Sequence, residues 1–573
     1  MLPLKEEISQ LLTTLTGLEE AEIKEILEEP PSPEMGDLSF PCFILAKQQR
    51  KPPPQISAEL AEQLAEKEFT YIEYVKNQGP YLNFYINNFA LARELIPQIT
   101  AGEYIKSWCN VGEGHTVVVD YSAPNIAKPF GIGHLRSTII GNALYLIYQA
   151  LGYKCIGVNH LGDWGTQFGK LIAAYRMWGE QEKLEADPVN YAYQIYVKFH
   201  EEADKDSVLE DKAREWFCSL ENGDEEASRL WKTFCEFSLQ EFKRVYKMLG
   251  IEFDYYQGES FYNPYLEQTI DLVKDKGLAT ESEGALIVDL EPYDLPPVVL
   301  RKSDGTTLYI TRDLSAAIYR YEQFEFSQML YVVGAEQTLH FQQLFKVLEL
   351  MGYEWALNCV HVPFGLIRFK EGRMSTREGN IILLKDVIEK AEELAFQIIE
   401  EKNPQLENKE EAARAVGLGA IKFGDLCNDR IKDIEFEWDK VLDFTGDTAP
   451  YIQYSHARIC SILSKSGNEA EIKKLASHDL EDITLAATEE KALLKELSLL
   501  PEAVLRSAET NKPSYLARYL VDVAREFNRF YHNCPVLNEE GVKRKSRLLL
   551  ILATREVLAQ GLNLLGIEAP QKM

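Results

Sequence analysis

The stretch that most constrains the fold runs from Tyr121 to Thr138 and reads YSAPNIAKPFGIGHLRST. It follows a β-branched run at Thr116 to Val119 and leads into an apolar segment with helical period that ends near Gly152. The order is therefore a buried strand, a loop with proline, glycine, lysine and histidine, and then a helix. Because a helix N-terminus presents free amides and a positive dipole, this order predicts a site for an anionic phosphate ligand.

Length and composition predict a soluble protein of several domains. The chain has 573 residues, which is too long for one core, so about two to four domains are expected. The N-terminus, MLPLKEEISQLL, is charged by its fifth residue, and no apolar run reaches roughly 18 residues, so neither a signal peptide nor a membrane span is predicted. The nine cysteines are scattered without metal-ligand spacing. This favours reduced thiols in a cytoplasmic protein without a metal site.

The net charge of −29 argues against nucleic acid as a partner, because phosphate contacts dominate that affinity. A strongly acidic chain can still carry a local basic face. Two clusters are candidates: Lys47, Arg50 and Lys51 in the first, and Lys543, Arg544, Lys545 and Arg547 in the second. The alternative for each cluster is a solvated helix face.

Hydrophobic patterning divides the chain into three parts, the second of which contains an insertion. Residues 1 to about 110 mix helical and strand patterns, as in a small α/β domain. Residues 115 to about 380 alternate strands and helices, which predicts a parallel doubly wound sheet with ligands at the strand C-termini. Residues 180–250 are helical and acidic and are interpreted as an insertion. Nearly everything after about residue 385 has helical period, which predicts an α-helical bundle.

Two loops carry the chemistry. In the first, Gly133 permits close backbone approach, His134 can donate to a phosphate, and Lys128 supplies a positive charge, as in-line displacement at phosphorus requires. The alternative is a tight turn with a capping histidine. The second loop, FKEGRMSTREGN at Phe369 to Asn380, is polar and flanked by glycine, so it is suited to closing over a triphosphate. Its alternative is an ordinary surface loop.

Taken together in this order, the two loops resemble the HIGH and KMSKS signatures of class I aminoacyl-tRNA synthetases. The segments around them are similar to the arginyl-tRNA synthetase family, and the resemblance covers essentially the whole chain. The segments are EMGDLSFPC (Glu34 to Cys42), NHLGDWGTQFG (Asn159 to Gly169), LYITRD (Leu308 to Asp313), VVGAEQTLHFQQ (Val332 to Gln343) and TAPYIQYSHAR (Thr448 to Arg458).

The resemblance implies a class I Rossmann-like catalytic domain at residues 111–384 with insertions at about 180–255 and 256–305. It also implies a small α/β N-terminal domain that binds the tRNA D-loop at residues 1–110, connecting helices at 385–446 and a helical anticodon-binding domain at 447–573. The implied enzyme is an arginine–tRNA ligase that uses ATP as substrate, with Mg²⁺, and acts on L-arginine and tRNA(Arg). A cytoplasmic monomer without membrane association is expected, and bound tRNA is expected to be needed for the first step.

The resemblance also implies the residues that serve ATP and catalysis. Lys128, Gly133, His134 and Arg377 are the implied catalytic residues. Lys128 is expected to replace the charge of a lysine that the second signature lacks here. The implied ATP-binding residues are Lys128, Gly131, Gly133, His134, His340, Met374, Ser375, Thr376 and Arg377.

The family's arginine-binding positions fall on Asp120, Ala123, Asn125, His134, Tyr309, Asp313 and Gln337. Such a set makes physical sense, because a guanidinium is planar and permanently charged and has five donors for carboxylates and flat acceptors. Lysine lacks this fork, so a discrimination of about 10⁴-fold is within reach without editing. The alternatives are that Asp313 only pairs with Arg312 and that Tyr309 belongs to the core.

For RNA, the resemblance implies contacts from Gln78, Tyr81 and Asn83 to the D-loop, and from Tyr531 and Met573 to the anticodon loop. An aromatic side chain beside amides suits an unstacked base. The alternative for the first group is that its aromatics form the core of a small sheet.

Two residues depart from the family pattern. Gly131 replaces the first histidine of HIGH, and Ala123 replaces a serine before the Pro-Asn pair. They leave open a catalytically weak paralogue that binds RNA or regulates. Within enzymes, the runner-up is a class I synthetase for lysine or glutamine, against which Asp120, Asp313 and the DWGTQFG segment argue.

Overall fold

The N-terminal part is a small α/β unit in a computed structural model that describes residues 1–126, 128–369, 382–467, 469–476, 480 and 482–573. Its antiparallel sheet has the strand order β1-β3-β2, and its helices pack their apolar faces on one side. The elements are α1 (Leu2–Thr16), α2 (Glu20–Ile26), β1 (Leu38–Pro41), α3 (Phe43–Gln49), α4 (Pro53–Leu64), β2 (Ile72–Gln78), β3 (Tyr81–Ile86), α5 (Asn88–Thr100) and α6 (Tyr104–Trp108).

The central sheet is parallel and has the order β11-β10-β4-β5-β6. Its strands and flanking helices are β4 (Thr116–Asp120), α7 (Leu135–Ala150), β5 (Lys154–Asn159), β6 (Tyr255–Tyr256), α14 (Tyr309–Phe324), β10 (Gln328–Tyr331), α15 (Thr338–Leu350) and β11 (Cys359–His361). The chain winds outward from β4 through β5 and then returns to β10 on the other side of β4. This reversal is the switch point at which open α/β sheets bind ligands.

Helices and a small sheet are inserted between these strands. The helices are α8 (Thr166–Trp178), α9 (Gln181–Ala186), α10 (Pro188–Ala203), α11 (Val208–Glu221), α12 (Glu225–Leu249) and α13 (Leu266–Asp275). The antiparallel strands are β7 (Ala279–Ser282), β8 (Ala285–Val288) and β9 (Val298–Arg301). Short 3₁₀ turns lie at Pro33–Met35, Ile132–His134, Glu259–Tyr265, Glu291–Tyr293, Ala335–Gln337 and Glu354–Asn358.

A parallel strand pair and several helices complete the chain. These elements are β12 (Ile367–Phe369), α16 (Leu384–Lys402), α17 (Lys409–Leu426), β13 (Ile434–Phe436), α18 (Trp438–Val441), α19 (Ala449–Lys465), α20 (Glu469–Ala476), α21 (Thr488–Leu497), α22 (Leu500–Glu509), α23 (Ser514–Asn533) and α24 (Gly541–Leu564). β12 pairs with β13 and leads to the second loop, whose residues 370–381 lie outside the described chain.

Alternation along β4 shows how the central sheet is buried on both faces. Val117 and Val119 join a hydrophobic cluster that extends into the N-terminal and C-terminal helices. Val118 points to the opposite face and joins a separate cluster with α14 and α15. Because successive strand residues face opposite sides, one β-branched run supports both layers. In the described part of the chain, no helix combines the length and apolarity needed to cross a bilayer.

Candidate active site

The first loop leads into α7 with the glycine-containing turn Ile132–His134. Gly133 is exposed, and a Cβ built on it would meet no heavy atom within 4 Å. The fold therefore does not require a glycine there. Open space at a helix start is what a phosphate ligand needs for close approach to backbone amides.

Gly131 has φ −85° and ψ 166°, an extended conformation that any residue adopts. Its loop is tied to the chain that follows the second loop, since Ile132 N donates to Ile382 O at 3.1 Å and Leu384 N donates to Phe130 O at 2.9 Å. The first loop therefore lies next to the residue at which the described chain resumes. The predicted ATP residues Met374, Ser375, Thr376 and Arg377 lie outside the described residues.

His134 carries an imidazole that stays neutral at physiological pH. Its pKa is lowered to about 4, chiefly by burial; the Gly131 backbone opposes this shift, and the charge of Lys128 adds to it. Its Nδ1 is buried and has no partner among the described residues. The Lys128 ammonium lies in a small recess with Gln167 and Tyr196, and burial lowers its pKa. A neutral imidazole and a cation therefore flank the start of α7.

A chain of charged side chains crosses the C-terminal edge of the sheet. Arg320 Nη1 donates to Asp120 Oδ2 at 2.8 Å, and Arg320 Nη2 lies 3.3 Å from His160 Nδ1. His160 Nε2 lies 3.6 Å from Asp313 Oδ1, and His340 Nε2 lies 2.6 Å from Asp313 Oδ2. Residues from β4, α14, α15 and the loop after β5 thus meet at one place.

Asp120 and Asp313 differ within this network. Asp120 is buried against Arg320, whose guanidinium is 1% exposed, so its carboxylate faces the chain's own cation. Asp313 is partly exposed. Burial acts to raise the pKa of Asp313, but the hydrogen bond and charge of His340, with His160 and Arg320, lower it overall. Asp313 therefore remains an anion at the pocket surface.

Glu259 is a site residue that the sequence reasoning missed. Its pKa is raised to about 8, chiefly by burial and then by the negative charge of Asp313, with a smaller contribution from Asp163, while the charge of Arg312 lowers it. Its Oε2 is buried without a hydrogen-bond partner in the described structure. Glu259 begins the 3₁₀ turn after β6, and no motif marks it. Only the topology brings it within electrostatic range of Asp313.

The remaining arginine-pocket predictions fall around this edge. Tyr309, at the first residue of α14, is 56% exposed and is thus not a core residue. Gln337 is exposed at the end of the turn before α15. Asn125 lies against Gly162, where a Cβ would sit 2.2 Å from Asn125 Oδ1, so a side chain at position 162 would displace the Asn125 amide. Ala123 follows Ser122 in a second left-handed conformation, with φ 45°.

Arg312 is not the partner of Asp313. Its Nε donates to Asn263 Oδ1 at 3.3 Å, whereas both oxygens of Asp313 face histidines. The alternative of a local Arg312–Asp313 ion pair is therefore wrong.

The predicted D-loop residues lie on β2 and β3. Asn83 is buried, where it accepts from Ser39 Oγ at 2.7 Å and donates to Gln78 Oε1 at 3.4 Å. Tyr81 packs edge-on against exposed Phe43, with ring centroids 5.7 Å apart. Gln78 and Tyr81 are thus presented at the surface, and Asn83 supports them from below.

The predicted anticodon residues Tyr531 and Met573 line one cleft of about 1290 Å³ in the C-terminal helices. In the same cleft the Arg458 guanidinium lies 4.7 Å from the ring centroid of Tyr454 and 4.9 Å from that of Tyr531. A guanidinium between two rings offers a flat cationic surface for stacking.

The two basic clusters predicted from the sequence differ in their exposure. Lys47 and Arg50 are exposed near Phe43. Arg547 is instead buried and bonded to Glu490 at 2.6 Å, so it stabilises the helical core and does not extend a basic face.

Comparisons with known proteins agree with this geometry. Residues 98–438 match the family described as "tRNA synthetases class I (R), catalytic domain", residues 452–573 the "DALR anticodon binding domain" and residues 3–86 the "Arginyl tRNA synthetase N terminal domain". Arginine–tRNA ligases of Alkaliphilus metalliredigens and Halothermothrix orenii are each 47% identical, covering 99% and 100% of both chains respectively. The arginyl-tRNA synthetase structure of Thermus thermophilus has a TM-score of 0.82 at 28% identity, covering 100% of this chain and 99% of its own.

The parallel sheet, the glycine-rich helix start and the helical C-terminal domain define a class I aminoacyl-tRNA synthetase, a ligase. Within that class, the chain belongs to the arginyl-tRNA synthetase family. The family, fold class and enzyme class predicted from the motifs are confirmed.

Proposed function

We propose that this chain activates L-arginine with ATP, forming arginyl-adenylate and diphosphate, and then transfers the arginyl group to the terminal ribose of tRNA(Arg) with release of AMP. The observation that carries this proposal is the placement of two carboxyl groups, Asp313 and Glu259, at the same sheet edge as the open start of α7. The carboxyl groups of Asp313 and Glu259 suit a guanidinium, and the open start of α7 suits a phosphate.

The guanidinium of arginine fits between Asp313 and Glu259. Its planar fork offers five donors, and Asp313 and the partnerless Oε2 of Glu259 supply charged acceptors, with Tyr309 at the rim. Lysine has a single ammonium and would leave one of these acceptors unpaired, which underlies selectivity without editing. Asp120 acts indirectly, because it holds Arg320, and Arg320 contacts His160 beside Asp313.

The reacting end of the amino acid faces α7. Asn125, Ala123 and Gln337 are proposed to bind the α-amino and carboxylate groups, on the motif match. An oxygen of the carboxylate attacks the α-phosphorus of ATP, and the bond from that phosphorus to the bridging oxygen of diphosphate breaks. Neutral His134 donates to the phosphate, and Gly133 lets the nucleotide approach the helix start.

Further positive charge comes from the two loops. Lys128 is the cation of the first loop. Gly131 has no imidazole to contact the phosphates, so Lys128 and Arg377 are proposed to make those contacts. His340 contacts Asp313 and so links the arginine pocket to the expected ATP position. Met374, Ser375 and Thr376 are proposed to close over the nucleotide, on the motif match alone.

The second step uses the tRNA. The 2′-hydroxyl of the terminal ribose attacks the carbonyl carbon of the adenylate, and AMP leaves. Gln78, Tyr81 and Asn83 are proposed to serve the D-loop, and Tyr531 and Met573 the anticodon loop. The cleft that joins the last two supports this assignment.

Mg²⁺ is proposed to arrive on the phosphate oxygens of ATP, because the described residues contain no group of three side chains arranged to hold a metal. A monomer acting in the cytoplasm is proposed on the family resemblance.

The decisive experiment is amino-acid-dependent exchange of labelled diphosphate into ATP, with and without tRNA(Arg), over a panel of arginine, lysine and glutamine. Exchange with arginine alone supports the proposal. Exchange with lysine or glutamine would identify another class I synthetase. No exchange with any amino acid, while tRNA is still bound, would identify an RNA-binding paralogue.

A further inference from the structure

The turn between α22 and α23 is one of the contacts between the C-terminal helices and the catalytic domain. Asn511 in this turn is 6% exposed and has φ 50°, a left-handed conformation that asparagine tolerates better than most residues. Both of its carbonyl oxygens accept from outside the domain. Arg430 Nε donates to the backbone oxygen at 2.8 Å. The Tyr148 hydroxyl lies 3.0 Å from Oδ1 and 3.0 Å from the carbonyl oxygen of Ala508 at the end of α22, so it donates to this turn through either acceptor.

Arg430 connects this turn to the substrate pocket. Its Nη1 donates to Pro363 O at 2.8 Å, and its own carbonyl accepts from Gly365 N at 2.9 Å. Between these two residues, Phe364 O accepts from Ala335 N at 3.0 Å, which holds the turn that ends at Gln337. The same segment continues into β12 and the second loop.

Arg430 also connects the turn to the helix that carries the first loop. Its carbonyl accepts a second hydrogen bond, from Arg136 Nη2 at 3.1 Å. Arg136 follows His134 by two residues and is buried in an ion pair with Asp425, with Nε to Oδ2 at 2.9 Å. Tyr148 lies at the other end of α7, so the Asn511 turn contacts this helix directly at one end and through Arg430 at the other.

We propose that Asn511 and Arg430 are positioning residues that align the ATP and arginine sites when tRNA seats the C-terminal domain. The proposal rests on the proposed aminoacylation function and adds the contact through which tRNA acts on the first step. A tRNA that engages the C-terminal domain shifts or fixes the Asn511 turn, and the hydrogen bonds of Arg430 and Tyr148 pass this placement to α7 and to the Gln337 turn. Neither residue touches substrate.

The first variant that tests this proposal is Tyr148→Phe, which removes one hydroxyl and keeps the ring. The matched control is Tyr153→Phe, because the Tyr153 ring packs against Tyr148 with centroids 5.2 Å apart, and its hydroxyl bonds no described residue. We expect Tyr148→Phe to lower the maximal rate of tRNA-stimulated diphosphate exchange about 2- to 10-fold, as for the loss of one buried hydrogen bond. The Kd for tRNA and the rate of the control variant should change less than twofold.

Arg430→Lys keeps the positive charge but loses the planar set of guanidinium donors. We therefore expect a larger fall, about 10- to 100-fold, in the maximal rate of tRNA-stimulated diphosphate exchange. The salt bridge beside the turn, between Lys512 Nζ and Asp429 Oδ2 at 2.8 Å, gives a rescue test that does not depend on the folding of the arginine variant. Lys512→Asp and Asp429→Lys should each reduce tRNA stimulation up to about fivefold, and the double variant should restore it.

Three results would overturn the inference: wild-type exchange that does not respond to tRNA, variants whose tRNA-stimulated rate equals that of the control, or variants that lose rate only in proportion to tRNA affinity. The proposed function fails separately, if the wild-type protein shows no arginine-dependent exchange under any condition.

Discussion

Asp120 and Asp313 lie at the same edge of the sheet, but their carboxylates have different environments. Asp120 is buried and bonded to the chain's own guanidinium, Arg320. Asp313 is partly exposed, contacts two imidazoles, and lies beside Glu259, whose buried Oε2 has no described partner. Residue type does not separate the two aspartates. What separates them is whether the fold itself supplies the cation, and this distinguishes a structural ion pair from a pocket for a cationic substrate.

Asp313→Asn tests the pocket side of the comparison and should have the largest effect. Loss of the anion removes a charged acceptor for the guanidinium, so kcat/KM for arginine should fall about 10⁴-fold in diphosphate exchange, with the melting temperature nearly unchanged. A fall below tenfold would mean that Asp313 serves His340 and not the substrate.

Asp120→Asn tests the structural side. Removing one partner of a buried ion pair leaves Arg320 uncompensated, so the free energy of unfolding should drop by about 3–5 kcal/mol in urea titration. The control is Asp211→Asn, which removes an exposed partner of Arg214 and should cost less than about 1 kcal/mol. If Asp120→Asn melts like the wild type but loses arginine binding, Asp120 would be a substrate-binding residue and not a structural one.

Glu259→Gln tests whether arginine binding at the Asp313 pocket depends on pH. In the free protein the pKa of Glu259 is about 8, so its carboxyl keeps a proton between its unfolded pKa and pH 8. Its contribution to stability therefore falls as pH rises through that window, whereas arginine, which needs the carboxylate, should bind more tightly toward pH 8 with release of a proton.

The measurements for Glu259 are KM for arginine from pH 6 to 9 and calorimetry in buffers of different ionisation enthalpy. Glu259→Gln should raise KM about 10- to 100-fold and abolish both the pH slope and the proton release. Glu281→Gln, on exposed strand β7, is the control. An unchanged pH slope in the Glu259 variant would assign that slope to another group.

The same comparison shows how far the sequence could lead. The β-branched run of β4 and the family motifs were sufficient for the fold class and the family, because those signals are local or shared by a family. Glu259, Arg320 and Arg430 could not be found in this way, because their roles depend on contacts between residues far apart in the chain. Arg547 shows the converse, since a local basic cluster gave no sign that its partner, Glu490, lies 57 residues away in the core.

Gly131→His should have the smallest effect and concerns the phosphate end of the site. The backbone at Gly131 is extended, so a side chain there brings no backbone strain and folding should be retained. An added imidazole donor could strengthen phosphate contact, so the exchange rate should stay level or rise up to about tenfold. Gly133→Ala is the matched control, because its Cβ would meet no protein atom yet would enter the space for the nucleotide, leaving stability unchanged while exchange falls. A loss of several orders of magnitude in Gly131→His would show that the nucleotide, and not the fold, needs glycine at that position as well.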